Sequence, residues 1–150
     1  MKVLVTGHNG YIGSHLVSLL KENGDEVIGY DINLFEGCKW EKFTKPDKEF
    51  IKDFREINTP DLLGVDCVIH LAALSNDPMG AINSKLTYSI NRTGSINLAK
   101  AAKDAGVRKF LFSSSCSIYG KGEKLDLTET DSTNPITAYA SSKIDTENAV

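Results

Sequence analysis

Short apolar runs alternate along this chain with stretches of helical periodicity. Runs of strand length occur at residues 3–5, 26–30, 49–52, 65–73 and 109–112. Apolar residues recur at helical spacing from Tyr11 to a stop at Asn23-Gly24, and again over residues 81–105. A last helix is predicted from Asn134-Pro135, because asparagine caps helices and proline suits the first helical position. This alternation predicts an α/β fold, a doubly wound parallel sheet with helices on both faces.

Three glycines, at positions 7, 10 and 13, follow the first strand and open the first helix. At this spacing the first glycine makes a tight turn and the second admits a pyrophosphate close to the backbone, while the third lets the helix pack on the strand. The helix then directs its unpaired N–H groups and positive dipole end at the phosphates. The turn predicts a Rossmann-like dinucleotide-binding fold.

The second predicted strand ends on Asp31. An acidic residue about 20 positions beyond the glycines accepts hydrogen bonds from the adenosine ribose, and its charge repels a 2′-phosphate. Asp31 therefore predicts NAD rather than NADP. Asp53, after the strand at residues 49–52, could meet the adenine amino group, although a turn residue is the simpler interpretation. Residues 33–48 predict a loop with a helical turn.

Small and polar residues follow the later strands. Ala72 and Ala73 leave space where the carboxyl end of a parallel strand faces a ligand. His70, inside that strand, is interpreted as a packed, hydrogen-bonded residue without a chemical role. Asn91 lies within the predicted helix at residues 81–105, so it must be exposed or have a partner for its amide. Hydroxyls crowd the end of the last strand at residues 113–117.

Tyr139 and Lys143 are four positions apart on the last predicted helix. This spacing places both on one helical face, where a lysine ammonium favours the ionised form of a phenol. A free tyrosine has a pKa of about 10, so it needs such help to exchange protons near neutral pH. The alternative interpretation is a tyrosine and a lysine that share a solvated face.

Composition limits the partners. The chain has 150 residues, enough for one domain, and its net charge is -3 with no basic run, so nucleic acid is not an expected partner. The 3 cysteines lack metal-ligand spacing, which predicts a reducing compartment and no metal. No apolar run reaches the roughly 18 residues of a membrane span, and a strand from Val3 leaves no room for a leader, so we expect a cytoplasmic protein without a membrane segment.

Six motifs in order resemble the extended short-chain dehydrogenase/reductase family, and within it the NAD-dependent epimerase/dehydratase branch that acts on nucleotide sugars. The resemblance covers the whole chain. The motifs are Thr6-Gly7-x-x-Gly10-x-x-Gly13, Asp31, His70-Leu71-Ala72-Ala73, Asn91-x-x-Gly94, Ser113-Ser114-Ser115-x-x-Ile118-Tyr119-Gly120 and Tyr139-x-x-x-Lys143.

The resemblance implies a role for each matching residue. Tyr139 would be the base that removes a sugar hydroxyl proton while a hydride passes to NAD. Lys143 would lower the pKa of this tyrosine and bind the nicotinamide ribose, Ser115 would hydrogen-bond the reacting oxygen, and Asn91 would orient the proton path. The implied NAD-binding residues are Gly7, Gly10, Tyr11, Ile12, Gly13, Asp31, Asn33, Asp53, Phe54, Leu71, Ala72, Ala73, Asn91, Ser113, Tyr139 and Lys143.

Two departures from the family pattern bear on the activity. Sugar dehydratases carry an acid, often an Asp-Glu pair, where this chain has Cys116-Ser117, which favours an epimerase similar to the UDP-glucose 4-epimerase type, with a UDP-sugar as the expected substrate. His8 stands where small residues are usual, and its imidazole is expected to point away from the pyrophosphate. The alternatives left open are a dehydratase, an NAD(P)-dependent carbonyl reductase and a non-catalytic NAD-binding module.

Family members continue for roughly another domain. We therefore expect this chain to be an amino-terminal portion that binds NAD and lacks the lobe that grips the nucleotide sugar. The resemblance also implies a homodimer, paired through the predicted helix at residues 81–105 and the helix after Pro135.

Overall fold

The computed structural model describes residues 1–38, 43–122 and 126–150. Its strands are β1 (Lys2–Thr6), β2 (Glu26–Asp31), β3 (Lys48–Ile51), β4 (Cys67–His70) and β5 (Lys109–Phe112). Its helices are α1 (Tyr11–Glu22), α2 (Asp77–Ile82), α3 (Ser84–Thr87), a π-helical segment (Tyr88–Gly94), α4 (Ser95–Asp104) and α5 (Ala138–Glu147). Short 3₁₀ turns lie at Glu36–Cys38, Phe54–Glu56, Thr59–Leu62 and Cys116–Tyr119.

The described chain divides into two compact units. The first unit comprises residues 1–72 and 97–113, and the second comprises residues 73–96 and 114–150. Every strand of the described residues belongs to the first unit. The second unit contains α2, α3, the π-helical segment and α5.

The sheet of the first unit has five parallel strands in the order β3-β2-β1-β4-β5. β1 lies at its centre, where Val3 pairs with Val27 on one side and with Cys67 on the other. β1 is therefore buried from its second residue onward, whereas the edge strands β3 and β5 expose half or more of their residues. The predicted α/β fold with a parallel sheet is confirmed.

Apolar packing stabilises this sheet. Val3, Val5, Val17, Val27 and Cys67 form a buried cluster, and α1 contributes Val17 to it. α1 ends as predicted: Asn23 is its C-cap, and Gly24 follows with a φ of +82°. Crossovers between parallel strands are right-handed, and the crossovers β1 to β2 and β4 to β5 run in opposite directions across the sheet. α1 and the end of α4 therefore lie on opposite faces, as predicted.

The predicted continuous helix over residues 81–105 is wrong. Asn83 adopts an extended conformation between α2 and α3, with φ of −148°, and its side chain accepts a hydrogen bond from the backbone of Leu86. The chain then widens into the π-helical segment before α4 begins. The physical reason is that an asparagine side chain can replace a helical acceptor and restart a helix, which periodicity alone does not reveal.

The predicted start of the last helix at Asn134-Pro135 is also wrong. The backbone N–H of Asn134 donates to the carbonyl of Ile118, which holds this segment outside the helix. α5 begins at Ala138, and the Thr137 hydroxyl caps it by accepting from the N–H of Ala140 at 3.0 Å. Threonine is a good N-cap, and here it prevails over the upstream Asn-Pro pair.

The predicted loop at residues 33–48 contains the 3₁₀ turn Glu36–Cys38, and its Trp40 lies outside the described residues. Within the described ranges, every helix is too short or too polar to cross a membrane.

Candidate active site

Close backbone contacts shape the glycine turn of the first unit. Gly7 has a φ of +73°, and a Cβ atom there would lie 2.8 Å from the backbone nitrogen of Ala72. A Cβ atom on Gly13 would lie 2.1 Å from the carbonyl oxygen of Gly7, so α1 packs directly on the turn. Gly10 is less crowded, since a Cβ atom added there would lie 3.3 Å from the carbonyl oxygen of Gly7. Gly7 and Gly13 therefore require glycine for steric reasons.

The first turn of α1 suits an anionic ligand. Gly10 precedes α1 without a side chain to cap it, and no acidic residue lies in the first turn. Tyr11 and Ile12 are 70% and 61% exposed there. The first N–H groups of a helix have no intrahelical acceptor, and the helix dipole favours negative charge at this end. These residues fit the pyrophosphate of a dinucleotide.

Asp31 is fixed beside the glycine turn. Its carboxylate accepts from the backbone N–H of Asn9, which belongs to the turn, at 3.0 Å and from the backbone N–H of Asn33 at 2.8 Å. The Asn9 amide also donates to the Asn33 side chain at 2.6 Å. Each carboxylate oxygen accepts more than one hydrogen bond, so Asp31 can still bind ribose hydroxyls. Asp31 and Asn33 are thus held next to the turn.

The carboxyl end of β4 forms one wall beside the turn. The Thr6 hydroxyl lies 2.6 Å from Nδ1 of His70 and accepts from the backbone N–H of Ala72 at 3.2 Å. The backbone N–H of Leu71 donates to the Thr6 carbonyl. His70 is 1% exposed and its ring lies 4.8 Å from the Phe54 ring. The interpretation of His70 as a packed, hydrogen-bonded residue is confirmed, and its bonds position Leu71 and Ala72.

Asp53 has local partners. Its carboxylate accepts from the backbone N–H of Arg55 at 2.9 Å and forms an ion pair with the Arg55 guanidinium at 2.6 Å. These hydrogen bonds hold the pKa of Asp53 below its usual value. Asp53 therefore caps a turn, and its contact with adenine stays a prediction.

The His8 side chain is directed at β2 and β3. It is 2% exposed, its Nε2 lies 2.8 Å from the Glu49 carboxylate, and a Cβ atom on Gly29 would meet the imidazole at 2.6 Å. Gly29 therefore leaves the space that this unusual histidine fills. The ring points from the glycine turn toward the outer strands of the sheet.

Tyr139 and Lys143 lie together on α5 in the second unit. They are 8% and 4% exposed, and Nζ of Lys143 lies 5.6 Å from the centre of the Tyr139 ring. Burial disfavours the ammonium and lowers the pKa of Lys143 to about 8, against a smaller opposing effect of Glu147. The pair therefore does not share a solvated face. It is a buried lysine beside a tyrosine ring, and a buried group with a shifted pKa is a candidate for a functional site.

Asn91 lies in the π-helical segment and is 1% exposed. Its amide accepts from the backbone N–H of Leu74 at 2.8 Å and donates to the carbonyl of the same residue at 3.0 Å. Its backbone carbonyl accepts from the Thr146 hydroxyl at 3.1 Å, which connects it to α5. Of the two expectations for this asparagine, the one with a partner for the amide is correct. Its role in a proton path stays a prediction.

The serine run continues from β5 into a 3₁₀ turn. Ser113 belongs to the first unit and donates its backbone N–H to the carbonyl of His70 at 3.2 Å. Ser115 caps the turn Cys116–Tyr119 by accepting from the backbone N–H of Ser117 at 3.2 Å. Its hydroxyl hydrogen remains available to a ligand. Since this turn contacts α5, the second unit groups Ser115 with the helix that carries Tyr139 and Lys143.

Sequence reasoning missed Asp77. The Asp77 carboxylate accepts from the Ser117 hydroxyl at 2.9 Å and from the Thr137 hydroxyl. The available signal was the run Asn76-Asp77-Pro78, a helix start with a cap, an acidic residue and a proline.

The predicted site residues thus fall into two groups. The first unit contains those expected to bind the adenosine and pyrophosphate of NAD, and the second contains Ser115, Tyr139, Lys143 and Asn91. Ala73 begins the second unit immediately after Ala72.

A family model described as the NAD dependent epimerase/dehydratase family matches residues 3–150. The chain is similar to the UDP-glucose 4-epimerase of Lactobacillus helveticus, with 37% identity over 96% of this chain and 44% of that protein. The chain therefore spans less than half the length of this curated relative.

Two solved structures are similar to the chain over almost its whole length. The UDP-N-acetylglucosamine 4-epimerase from Methanobrevibacter ruminantium M1, in complex with UDP-N-acetylmuramic acid, has a TM-score of 0.88 and 28% identity over 98% of this chain and 48% of that chain. The UDP-glucose-4-epimerase from Stenotrophomonas maltophila, with bound NAD and formylated UDP-arabinopyranose, has a TM-score of 0.85 and 32% identity over 99% of this chain and 47% of that chain. The family model matches almost the whole chain, and the glycine turn, Asp31 and the Tyr139–Lys143 pair agree with it. The chain therefore belongs to the NAD dependent epimerase/dehydratase family, whose cofactor is NAD.

Proposed function

We propose that this chain supplies the NAD site and the catalytic residues of a UDP-sugar 4-epimerase. The observation that carries the proposal is the buried pair on α5, with Nζ of Lys143 at 5.6 Å from the centre of the Tyr139 ring. A structural tyrosine and lysine would gain little from burying an ammonium, because removing a charge from water is unfavourable. The similarity to UDP-glucose 4-epimerases supports the same substrate class.

The first unit would hold the cofactor. The N–H groups at the start of α1 would bind the pyrophosphate, and Asp31 would accept hydrogen bonds from the adenosine ribose. When bound, NAD supplies the acceptor for the hydride at the carbon that is inverted. The negative charge of Asp31 would disfavour the 2′-phosphate of NADP.

The second unit would provide the residues that transfer the proton of the sugar hydroxyl. Tyr139 would take the proton of the sugar hydroxyl, and Ser115 would donate a hydrogen bond to the same oxygen. The Lys143 ammonium beside the Tyr139 ring would stabilise negative charge that develops on the phenol oxygen as the proton is transferred. Below pH 8, the pKa of about 8 keeps Lys143 mostly in this cationic form.

The substitution Tyr139→Phe tests this role. In a protein that contains this chain, we expect it to lower the conversion of UDP-glucose to UDP-galactose by about 10²-fold or more, because general acid–base catalysis contributes about that much. NAD binding, measured by calorimetry, should not change. Tyr88→Phe removes a phenol hydroxyl from the same unit and is the matched control. Normal turnover in Tyr139→Phe would exclude Tyr139 as the base.

Calorimetry on the 150-residue chain tests how the ligands are divided between lobes. We propose that the chain binds NAD and that a separate lobe, expected from the family resemblance, selects the sugar nucleotide. Tight binding of UDP-glucose by this chain alone would contradict the proposal.

The homodimer and the cytoplasmic location also belong to this proposal. The resemblance supports the dimer, and the unpaired cysteines at positions 38, 67 and 116 support a reducing compartment. Light scattering on the purified protein would show whether it is a dimer or a monomer.

A further inference from the structure

We propose that Asp77 is a positioning residue that fixes the serine turn and the tyrosine helix to one carboxylate. The inference rests on the proposed function, since it concerns Ser115 and Tyr139, but it adds a residue that no family motif identified above contains. The Asp77 carboxylate accepts a hydrogen bond from the hydroxyl of Ser117, in the serine turn, and another from the hydroxyl of Thr137, at the start of α5.

The link to α5 runs through Thr137. Its hydroxyl donates to Oδ1 of Asp77 and accepts from the backbone N–H of Ala140 at 3.0 Å. A hydroxyl has a single hydrogen, so donation to Asp77 turns the oxygen lone pairs toward the helix. Asp77 therefore determines how Thr137 caps α5, two residues before Tyr139.

The link to the serine turn runs through Ser117. Its hydroxyl donates to Oδ2 of Asp77 at 2.9 Å, and its backbone N–H donates to the Ser115 hydroxyl at 3.2 Å. Asp77 therefore holds the residue to which Ser115 is bonded. Hydrogen bonds to an ionised carboxylate are stronger than those between neutral groups, which suits a brace at this point.

The backbone around Asp77 is itself fixed. Asn76 has a φ of +70° and a ψ of 159°, a conformation that L residues rarely adopt and that persists only where the surrounding structure imposes it. Its side chain accepts from the backbone N–H of Met79 at 3.0 Å. Gly80, one turn along α2, packs on Tyr139, because a Cβ atom there would lie 2.9 Å from the tyrosine Cβ. α2 thus carries Asp77 at a set distance from α5.

This arrangement supports a positioning role for Asp77. Both carboxylate oxygens of Asp77 accept hydroxyls of the protein, and both hydroxyls lead to residues of the proposed site. A displacement of about 1 Å in a catalytic group lowers rates by about 10²-fold, so a loose serine turn or helix start is enough to lose turnover.

The first test compares Asp77→Ala with Asp77→Asn in a protein that contains this chain. Alanine removes both acceptors, and we expect kcat to fall by about 10²-fold, with little change in KM or in NAD affinity. Asparagine keeps an acceptor and can donate to the other hydroxyl, so it should restore most of the rate. Asp131→Ala is the matched control, because Asp131 likewise accepts from a threonine hydroxyl of the second unit, that of Thr128 at 3.0 Å.

The second test needs no turnover. In Asp77→Ala, amide hydrogen exchange by NMR should become faster at Ala140 and at Ser117 together, and less so in Asp77→Asn. The Cys116 thiol is exposed next to Ser115. In a protein in which Cys38 is replaced by serine, Asp77→Ala should change the rate at which the Cys116 thiol reacts with a disulfide reagent. Ser117→Ala is a milder variant in case Asp77→Ala does not fold, and it should affect the serine turn alone.

The outcomes separate this inference from the proposed function. If Asp77→Asn is as inactive as Asp77→Ala while both amides keep their protection, the Asp77 charge takes part in the reaction and positioning is wrong. If Tyr139→Phe abolishes turnover and Asp77→Ala does not, the inference fails and the proposed function stands. If Asp77→Ala loosens both amides but Tyr139→Phe is fully active, the brace exists and the proposed function fails.

Discussion

Different kinds of contact stabilise the interior of each unit. In the first unit, apolar strands and α1 bury a cluster that includes Val3, Val17 and Val27, and glycines remove side chains where backbones meet. In the second unit, short helices begin at the polar side chains of Asn76, Asn83 and Thr137, and the amide of Asn91 bonds the Leu74 backbone. Apolar packing is prominent in the first unit, and hydrogen bonds between side chains and backbone are prominent in the second.

This difference has a functional meaning. A dinucleotide turn needs a rigid backbone with empty space beside it, which apolar strands and glycines provide. The proton-transfer site proposed for the second unit would need polar groups at fixed positions, and this unit buries a lysine that apolar packing alone would disfavour. We therefore expect the first unit to be most sensitive to substitutions that add volume beside its backbone. We expect the second unit to be most sensitive to substitutions that remove a polar partner.

The largest effect is expected from Gly13→Ala in the first unit. The new Cβ would lie 2.1 Å from the carbonyl oxygen of Gly7, which is backbone and cannot rotate away. Overpacking of this kind typically costs about 1 to 3 kcal/mol, and here we expect the upper end or more, with loss of measurable NAD binding. Urea unfolding and NAD calorimetry check this. Gly37→Ala, where the added Cβ has no neighbour within 4 Å, should be neutral.

The next effect concerns Lys143 in the second unit. Burial lowers the pKa of Lys143 to about 8, whereas a lysine in an unfolded chain titrates near about 10.4. Between these pH values the unfolded chain binds more protons, so the free energy of unfolding attributable to Lys143 rises with pH and is lowest below pH 8. Lys143→Met should therefore stabilise the protein at pH 7 by up to about 3 kcal/mol while abolishing turnover.

Urea unfolding between pH 7 and pH 10 checks the Lys143 prediction. The exposed Lys103→Met change on α4 is the control. A Lys143→Met protein that is less stable than the wild type at pH 7 would show that the ammonium is stabilised by its surroundings, contrary to the argument from burial.

A smaller loss is expected from Asn91→Leu. Leucine is similar in size but bonds neither the N–H nor the carbonyl of Leu74, so we expect a loss of about 2 kcal/mol in the free energy of unfolding. Thermal or urea unfolding measures this loss. Asn97→Ala, at an exposed position of α4, should change stability by less than about 0.5 kcal/mol. Equal effects of the two substitutions would show that the hydrogen bonds between the Asn91 amide and the Leu74 backbone do not stabilise the protein.

The smallest effect is expected from Asp31→Asn. The asparagine can keep one acceptor for the turn but loses the charge that repels a 2′-phosphate, so the preference for NAD over NADP should fall about tenfold, or about 1.4 kcal/mol. Titration of the protein with each dinucleotide gives the ratio. The exposed Glu56→Gln, which neutralises a charge elsewhere in the first unit, should leave the ratio unchanged.

Most of the first unit could be predicted because its signals are local. Apolar runs predicted the strands to within a few residues, and the last strand, Lys109–Phe112, has the predicted bounds. The glycine turn is a steric requirement that appears directly as glycine. The second unit was predicted less well: periodicity merged α2, α3, the π-helical segment and α4 into one helix, and the Asn-Pro signal placed the start of α5 too early.

The sequence by itself determined the alternation of strands and helices along the chain, the glycine turn, the position of Asp31 and the Tyr139–Lys143 spacing, because each depends on neighbours a few residues away. The tertiary structure alone decided that Lys143 is buried, that the Asn91 amide bonds Leu74, and that Asp77 receives Ser117 and Thr137. Those facts depend on partners as distant as 60 positions along the chain. A hydrogen bond has no fixed sequence spacing, so only folding identifies its partner.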